Sequence, residues 1–202
     1  MNFALFFQKH DRGVLNLALR KIYYLFGLRT NKQKIKFLRD SGAKIGENVW
    51  INSISMFGSE PYLIEVGDNT YFAGGKSYIL THDGGVGMTY NMGLVDKAYD
   101  YFGCVKIGKN CFIGINSIIM KHVTIGDNCI IGAGSVVTKS IPSNSVAAGC
   151  PAKVICTVEE FVEKNKARFD LTLGWNTYEK RKYIEKNMFK YEEWRKEREI
   201  QE

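Results

Sequence analysis

From Ile107 onward an aliphatic side chain returns at every sixth position: Ile107, Ile113, Ile119, Ile125, Ile131 and Val137. An amphipathic helix would repeat every 3.6 residues, so this period excludes one, whereas a multiple of two is compatible with extended backbone. Gly108, Gly114, Gly126 and Gly132 directly follow four of these residues, and Cys111, Ser117, Val123, Cys129, Ser135 and Ile141 stand four places after them. Strand alternation lets the aliphatic and the mostly small residue both point inward, and the two variable positions between them form a corner. Three such sides close a triangular coil in which residues 18 apart in sequence stack, at roughly the 4.8 Å strand spacing. Ile107 is then expected over Ile125, Ile113 over Ile131 and Ile119 over Val137, and each aliphatic buried in this way contributes about 1.5 to 3 kcal/mol. Asn110, Asn116 and Asn128 fall at corners, where a positive φ costs asparagine less than most residues.

A looser block repeats the grammar at Ile45-Gly46-Glu47-Asn48-Val49, at Ile51-Asn52-Ser53-Ile54-Ser55 and at Val66-Gly67-Asp68-Asn69-Thr70 followed by Phe72. Between the blocks the period fails over 83–104, a Gly- and Tyr-rich stretch expected to leave the coil as an excursion loop. Long excursions from a rigid scaffold commonly carry function. The ends follow a helical period instead. Val14, Leu17, Ala18, Lys21 and Ile22, then Leu25 and Leu28, recur at threes and fours. Thr157-Val158-Glu159-Glu160 opens another helix with a capping box, and Ile184, Met188, Tyr191 and Trp194 share one face of a later helical pattern. The expected organisation is a basic N-terminal helical cap over 1–43, an all-β coil over 44–156 and a helical extension over 157–202.

Composition narrows the function classes. In 202 residues, 45% hydrophobic and 24% charged content match an ordinary globular chain. The longest apolar runs, Phe3 to Phe7 and Ile22 to Leu28, are far below the roughly 18 residues that span a bilayer. Phe3 to Phe7 precedes the first basic residue, Lys9, and no small-residue cleavage site follows, unlike a secretory signal. Five cysteines without a CxxC pair point to free thiols in a reducing compartment, so a cytoplasmic location is expected. The net charge of +7 resides entirely in residues 1–40, where nine basic side chains meet only Asp11 and Asp40. That segment reads either as a cap hiding the open sheet edge of the coil or as a basic helix lying peripherally on the inner membrane face. Nucleic acid is not an expected partner, because the basic excess is short and no recognition motif accompanies it.

The run VKIGKNCFIGINSIIMKHVTIGDNCIIGAGSVVTKSIPSNSVAAGCPAKVI, from Val105 to Ile155, resembles the hexapeptide-repeat acyltransferases. The branch it is similar to is that of the sugar O-acetyltransferases, which includes galactoside, maltose, nodulation and capsule or O-antigen enzymes. With the earlier repeats the resemblance covers about residues 44 to 156. It implies a left-handed parallel β-helix, a homotrimer, and acetyl-CoA bound between adjacent subunits as acyl donor. The handedness comes from the resemblance alone, because parallel crossovers are normally right-handed.

The resemblance also implies site residues. Of the three histidines, His82 stands in Ile79-Leu80-Thr81-His82-Asp83-Gly84-Gly85, where the coil gives way to the excursion. At that place the family has the general base, which takes the proton of an acceptor hydroxyl as its oxygen attacks the thioester carbonyl, with no acyl-enzyme. An imidazole with an ordinary pKa near 6.5 suits that task. Asp83 is a candidate to orient the ring, or a turn aspartate before Gly84-Gly85. His122 falls in a corner and should face solvent, and His10 lies in the basic N-terminal segment. The cofactor contacts implied are Ala133, Gly134, Thr138, Lys139 and Lys153, the two lysines being the phosphate candidates. Phe112 stands where some relatives have a tryptophan lining the cleft, and Asn52 near an acceptor-binding asparagine, although it fits a corner equally well. Cys111 and Cys129 should stack inside the coil as small core residues. Two histidines near the coil do not make the three-histidine zinc site of related β-helical carbonic anhydrases, so no metal is expected.

The reading expected from these residues is acetyl-CoA-dependent O-acetylation of a sugar or glycan hydroxyl in surface polysaccharide biosynthesis. The alternatives are N-acetylation of an amino sugar or of a small acceptor such as serine or an antibiotic, and a non-catalytic β-helical scaffold.

Overall fold

The computed structural model describes residues 30–197, and the chain divides into two compact units after Val162. The first unit is the coil. Its strands β1 (Lys44–Ile45), β2 (Ile64–Val66), β5 (Val105–Ile107) and β8 (Thr124–Ile125) pair side by side in one parallel sheet. A second sheet holds β4 (Tyr78–Ile79), β7 (Ile118–Ile119) and β10 (Val136–Val137). The third runs β3 (Tyr71–Phe72), β6 (Phe112–Ile113), β9 (Ile130–Ile131), β11 (Ser145–Gly149) and β12 (Ala152–Thr157). Ile107 pairs with Ile125, Ile113 with Ile131 and Ile119 with Val137, the stacking that the period of six requires. All six are fully buried, and the residues four places on, from Cys111 to Ile141, are buried with them. Ser117 and Ser135 sit in this core because their hydroxyls donate to the Gly114 and Gly132 carbonyls, which removes the penalty of an unpaired polar group.

One edge of the prism is a continuous amide ladder. Asn48 donates to Asn69, Asn69 to Asn110, Asn110 to Asn128 and Asn128 to Asn144, at 3.2, 3.1, 2.9 and 2.8 Å. All five have φ between 55 and 60°, so the left-handed corner and the side-chain ladder impose the same choice of residue.

The two ends of the coil are closed differently. At the start, helix α1 (Asn31–Asp40), opened by a Thr30–Gln33 capping box, buries Ile35, Phe37 and Leu38. Asn31 exchanges hydrogen bonds with Val49 and Ile51, Lys34 donates to Asn52 and Arg39 to Ile45, so α1 takes up backbone groups of the first rung. At the far end β12 turns back antiparallel on β11. The final stretch of 44–156 is therefore a hairpin rather than another parallel turn, and it ends the stacking on a different hydrogen-bond pattern. The expected helix before residue 30, its membrane contact and His10 lie outside the described residues.

The three outer faces differ. Lys44, Glu65, Lys106 and Thr124 point out from the first sheet, with Lys106 paired to Glu65 at 3.1 Å. Tyr78, Ile118 and Val136 line the second, and Tyr71, Phe112 and Ile130 the third. One face is charged and two are apolar.

Beyond Thr157, whose capping box with Glu160 is formed, comes α3 (Val158–Asn165). In the second unit α4 (Thr177–Lys186) and α5 (Met188–Lys196) break at Asn187, so the stripe from Ile184 to Trp194 lies on two helices rather than one. Asp170 gathers this unit by accepting from Lys190, Tyr191 and Tyr183 at 2.6, 2.7 and 3.0 Å. No helix among the described residues is long and apolar enough to cross a membrane.

Candidate active site

β4 ends at Ile79, and Leu80, Thr81 and His82 follow it out of the sheet. Thr81 is buried, and its hydroxyl donates to Glu60 Oε2 at 2.7 Å. His82 follows, half exposed, with Nδ1 2.9 Å from the same oxygen. Glu60 precedes a short 3-10 turn (Pro61–Leu63), and only 13% of its side chain is exposed. Burial pushes this carboxyl up, but hydrogen bonds from Thr81 and His82 and the charge of His82 outweigh it and hold Glu60 below its ordinary value. An ionised carboxylate can only accept, so it draws the proton of the neutral ring to Nδ1 and leaves the lone pair on Nε2.

Asp83, the sequence candidate for orienting the ring, is engaged elsewhere. Its Oδ2 accepts from Lys121 Nζ at 2.9 Å and its Oδ1 from the Gly85 backbone N–H at 3.0 Å. The carboxylate on His82 Nδ1 belongs to Glu60 instead. Adjacency in sequence favoured Asp83, yet the turn aims its side chain at the corner of the neighbouring rung. Nothing in the repeat flags Glu60, which lies in irregular chain between two rungs.

The excursion leaves and returns through a narrow neck. His82 and Phe102 form an antiparallel bridge, Gly103 N–H donates to the Thr81 carbonyl at 2.8 Å and Asp83 N–H to the Tyr101 carbonyl at 3.0 Å. Beyond the neck the excursion carries a short helix, α2 (Gly85–Asn91), where the sequence indicated only loop. Met88, Tyr90, Met92 and Leu94 are exposed there. His122 occupies its corner with φ 64°, exposed as expected, and its ring lies 5.3 Å from that of Tyr101.

Ile79, Ile119 and Val137 are in register, so Thr138 and Lys139 emerge from β10 at the same end of the sheet as Thr81 and His82 do from β4. Two strand spacings, about 10 Å, separate them. Ala133 and Gly134 form the corner at the opposite end of β10, where Gly134 has φ 69° and donates to the Ile115 carbonyl at 2.8 Å. Lys153 lies on β12 opposite Ala148. All five side chains or corners are exposed. The structure thus brings Thr138 and Lys139 to the His82 side, with Ala133 and Gly134 across the same strand. An exposed corner without a bulky side chain, with cations nearby, fits a pantetheine arm and phosphates.

Phe112 points outward on β6. Its ring stacks on Tyr71 at 6.0 Å and 3°, and Tyr71 on Trp50 at 6.2 Å and 10°. The period of six does not align Trp50 and Tyr71 with Phe112, because irregular chain lies between Trp50 and Tyr71 and the excursion between Tyr71 and Phe112. Asn52 fills the corner role: its Nδ2 donates to the Phe72 and Ala73 carbonyls, which leaves the acceptor-binding expectation without its amide donor. Cys111 and Cys129 are buried, and their thiols donate to the Gly126 and Pro142 carbonyls at 3.1 Å. The Cys129 contact, with burial, holds the Cys111 thiol far above its ordinary range, which is wrong for a nucleophile. No cluster of metal-ligating side chains occurs among the described residues.

Residues 104–139 match the family described as bacterial transferase hexapeptide (six repeats). Over 152 residues, 73% of this chain and 84% of the relative, the chain is 43% identical to Protein CapG of Staphylococcus aureus. The chain belongs to the bacterial hexapeptide-repeat transferases. A maltose O-acetyltransferase from Clostridium difficile 630 superposes with a TM-score of 0.53 at 29% identity, over 73% of this chain and 89% of that one. A galactoside acetyltransferase in complex with coenzyme A does so with a TM-score of 0.52 at 25% identity, over 77% and 87%. The coil of this hexapeptide transferase is accordingly a left-handed parallel β-helix.

Proposed function

We propose that this enzyme transfers an acetyl group from acetyl-CoA to a hydroxyl of a sugar or glycan during surface polysaccharide assembly. The observation that carries the reading is His82 at an exposed rung end, its Nδ1 tied to Glu60 at 2.9 Å and its Nε2 free to accept a proton. The sugar acetyltransferases it resembles and the capsule-type name of its relative in Staphylococcus aureus support the acceptor class.

In this mechanism His82 Nε2 takes the proton of the acceptor hydroxyl while the oxygen attacks the thioester carbonyl. Glu60 holds the ring in one tautomer and offsets the positive charge that develops on it. Collapse of the tetrahedral centre breaks the C–S bond, and the proton returns from His82 to the departing thiolate. No acyl-enzyme forms. Thr138 and Lys139 lie along the donor's path, with Ala133 and Gly134 as the open corner and Lys153 as a second phosphate cation. Phe112 covers the acceptor. The enzyme works as a homotrimer with each site completed by a neighbouring copy, a reading supported by two apolar outer faces beside one charged face. Acetyl-CoA as donor places the reaction in the cytoplasm.

The test is release of free CoA thiol from acetyl-CoA across a panel of glycan acceptors. Thiol release that depends on a glycan and disappears in His82→Ala, with the circular dichroism of the parent, supports the proposal. Donor turnover unaffected by that substitution would remove His82 as base.

A further inference from the structure

Lys121 is unusual among the lysines on the coil: only 10% of its side chain is exposed, although it stands at a corner. It reaches both arms of the excursion's neck. Its Nζ lies 2.9 Å from Asp83 Oδ2 on the outgoing arm and 4.4 Å from the ring centre of Tyr101 on the returning arm. The next residue, His122, packs its ring against Tyr101 at 5.3 Å. A Cβ on Gly103 would come within 2.4 Å of the His122 ring, so the returning arm needs glycine to lie this close. The corner formed by Lys121 and His122 therefore grips the neck from the neighbouring rung. His82 sits in that neck, bridged to Phe102.

Two carboxylates consequently flank His82, and they are in different situations. Glu60 touches the ring directly. Asp83 is the adjacent residue, and Lys121 takes up its charge. The hydrogen bond from Lys121 holds Asp83 below the ordinary carboxylate range, helped by the Gly85 N–H and, more weakly, by the charge of His82. Asp83 thus lies within electrostatic reach of His82, and without Lys121 the imidazole would face two negative groups rather than one.

We propose that Lys121 is a positioning residue for the acyl-transfer base: it clamps the neck that carries His82 and neutralises Asp83, so that Glu60 alone sets the electrostatics of the ring. This rests on His82 being the base, but its charge relationships exist without turnover. The charged and titratable groups facing the ring are Glu60, Asp83 and Lys121, with Tyr101 and His122 on the far side of the clamp.

The experiment is an NMR titration of ¹⁵N-histidine-labelled full-length protein, with the His82 signals assigned by their loss in His82→Ala. Lys121→Met leaves Asp83 uncompensated and should raise the His82 midpoint by about half a unit or more. Asp83→Asn leaves the lysine uncompensated and should lower it. The double variant removes both charges and should return the midpoint to the parent value, and Lys121→Arg should keep it there. A purely structural lysine would lower the melting temperature without this reciprocal pattern. Unmoved midpoints in both single variants, or a double variant that stays at the Lys121→Met value, would overturn the proposal. Asp83→Asn keeps the clamp's size and carries the test if Lys121→Met does not fold. Absence of acetyl transfer in the parent would remove the proposed function while leaving this titration readable.

Discussion

Glu60 Oε2 and His82 Nδ1 are 2.9 Å apart across 22 residues of chain, and Thr81 donates to the same oxygen. A carboxylate placed in this way does two jobs: it fixes which ring nitrogen is basic, and it stabilises the imidazolium once formed. Glu60→Gln retains the shape and removes the charge. Its kcat should fall roughly 10- to 100-fold, while KM for the donor changes little, because the interaction matters most when the ring is charged. The acid limb of kcat/KM should move to lower pH, since losing an opposite charge makes His82 easier to deprotonate.

Glu60 also gives stability a defined pH dependence. Its folded-state pKa lies below the ordinary 4.5. The resulting stabilisation is fully present above that ordinary value and is lost as pH falls through the lower folded value. Below pH 4.5 the stability gap between parent and Glu60→Gln in denaturant titrations should therefore close as pH falls. A gap that goes on widening below that pH would contradict the assignment.

Lys139 and Lys153 are exposed, and the proposed function makes them point charges toward phosphate. Replacing either with alanine should raise KM for acetyl-CoA roughly three- to tenfold with kcat nearly unchanged, and the penalty should shrink in high salt. Initial rates at two ionic strengths measure both effects.

Assembly should depend on the apolar faces and not on the charged one. Ile118→Asp, on the sheet shared by Tyr78 and Val136, should shift sedimentation from trimer toward monomer. Lys44→Glu, on the charged face, should leave it unchanged. Equal behaviour of the two variants would count against a trimer built on the apolar faces.

The amide ladder predicts an asymmetric response to substitution. Asn110 has φ 56° and bonds to Asn69 and Asn128. Asn110→Ala forces a Cβ-bearing residue without a compensating amide into the left-handed region, at about 1–2 kcal/mol for the backbone alone. Asn110→Gly keeps the backbone and loses only the amide bonds, so its melting temperature should lie between those of the parent and the alanine variant.

The coil was legible because its physics is local and periodic: Ile107, Ile113 and Ile119 each declare a side, and Asn110, Asn116 and Asn128 declare corners. His82 stands out because the period fails immediately after it, and its proposed role comes from the family resemblance at that place. Glu60 was not, since its partner is reached through packing between rungs and not through spacing. Asp83 misled for the complementary reason, being adjacent to His82 in the chain while its carboxylate faces Lys121. The α2 helix was hidden in a segment whose glycines read as loop, and the break at Asn187 in a stripe whose period continues across it.

The neck at His82 opens from the edge of the prism that follows the β4, β7 and β10 sheet, whereas the asparagines run along another edge. Chain can therefore be lengthened, shortened or exchanged at this neck without unfastening a single link of that amide zipper. Such an arrangement lets a lineage vary the excursion while inheriting the stacked rungs intact.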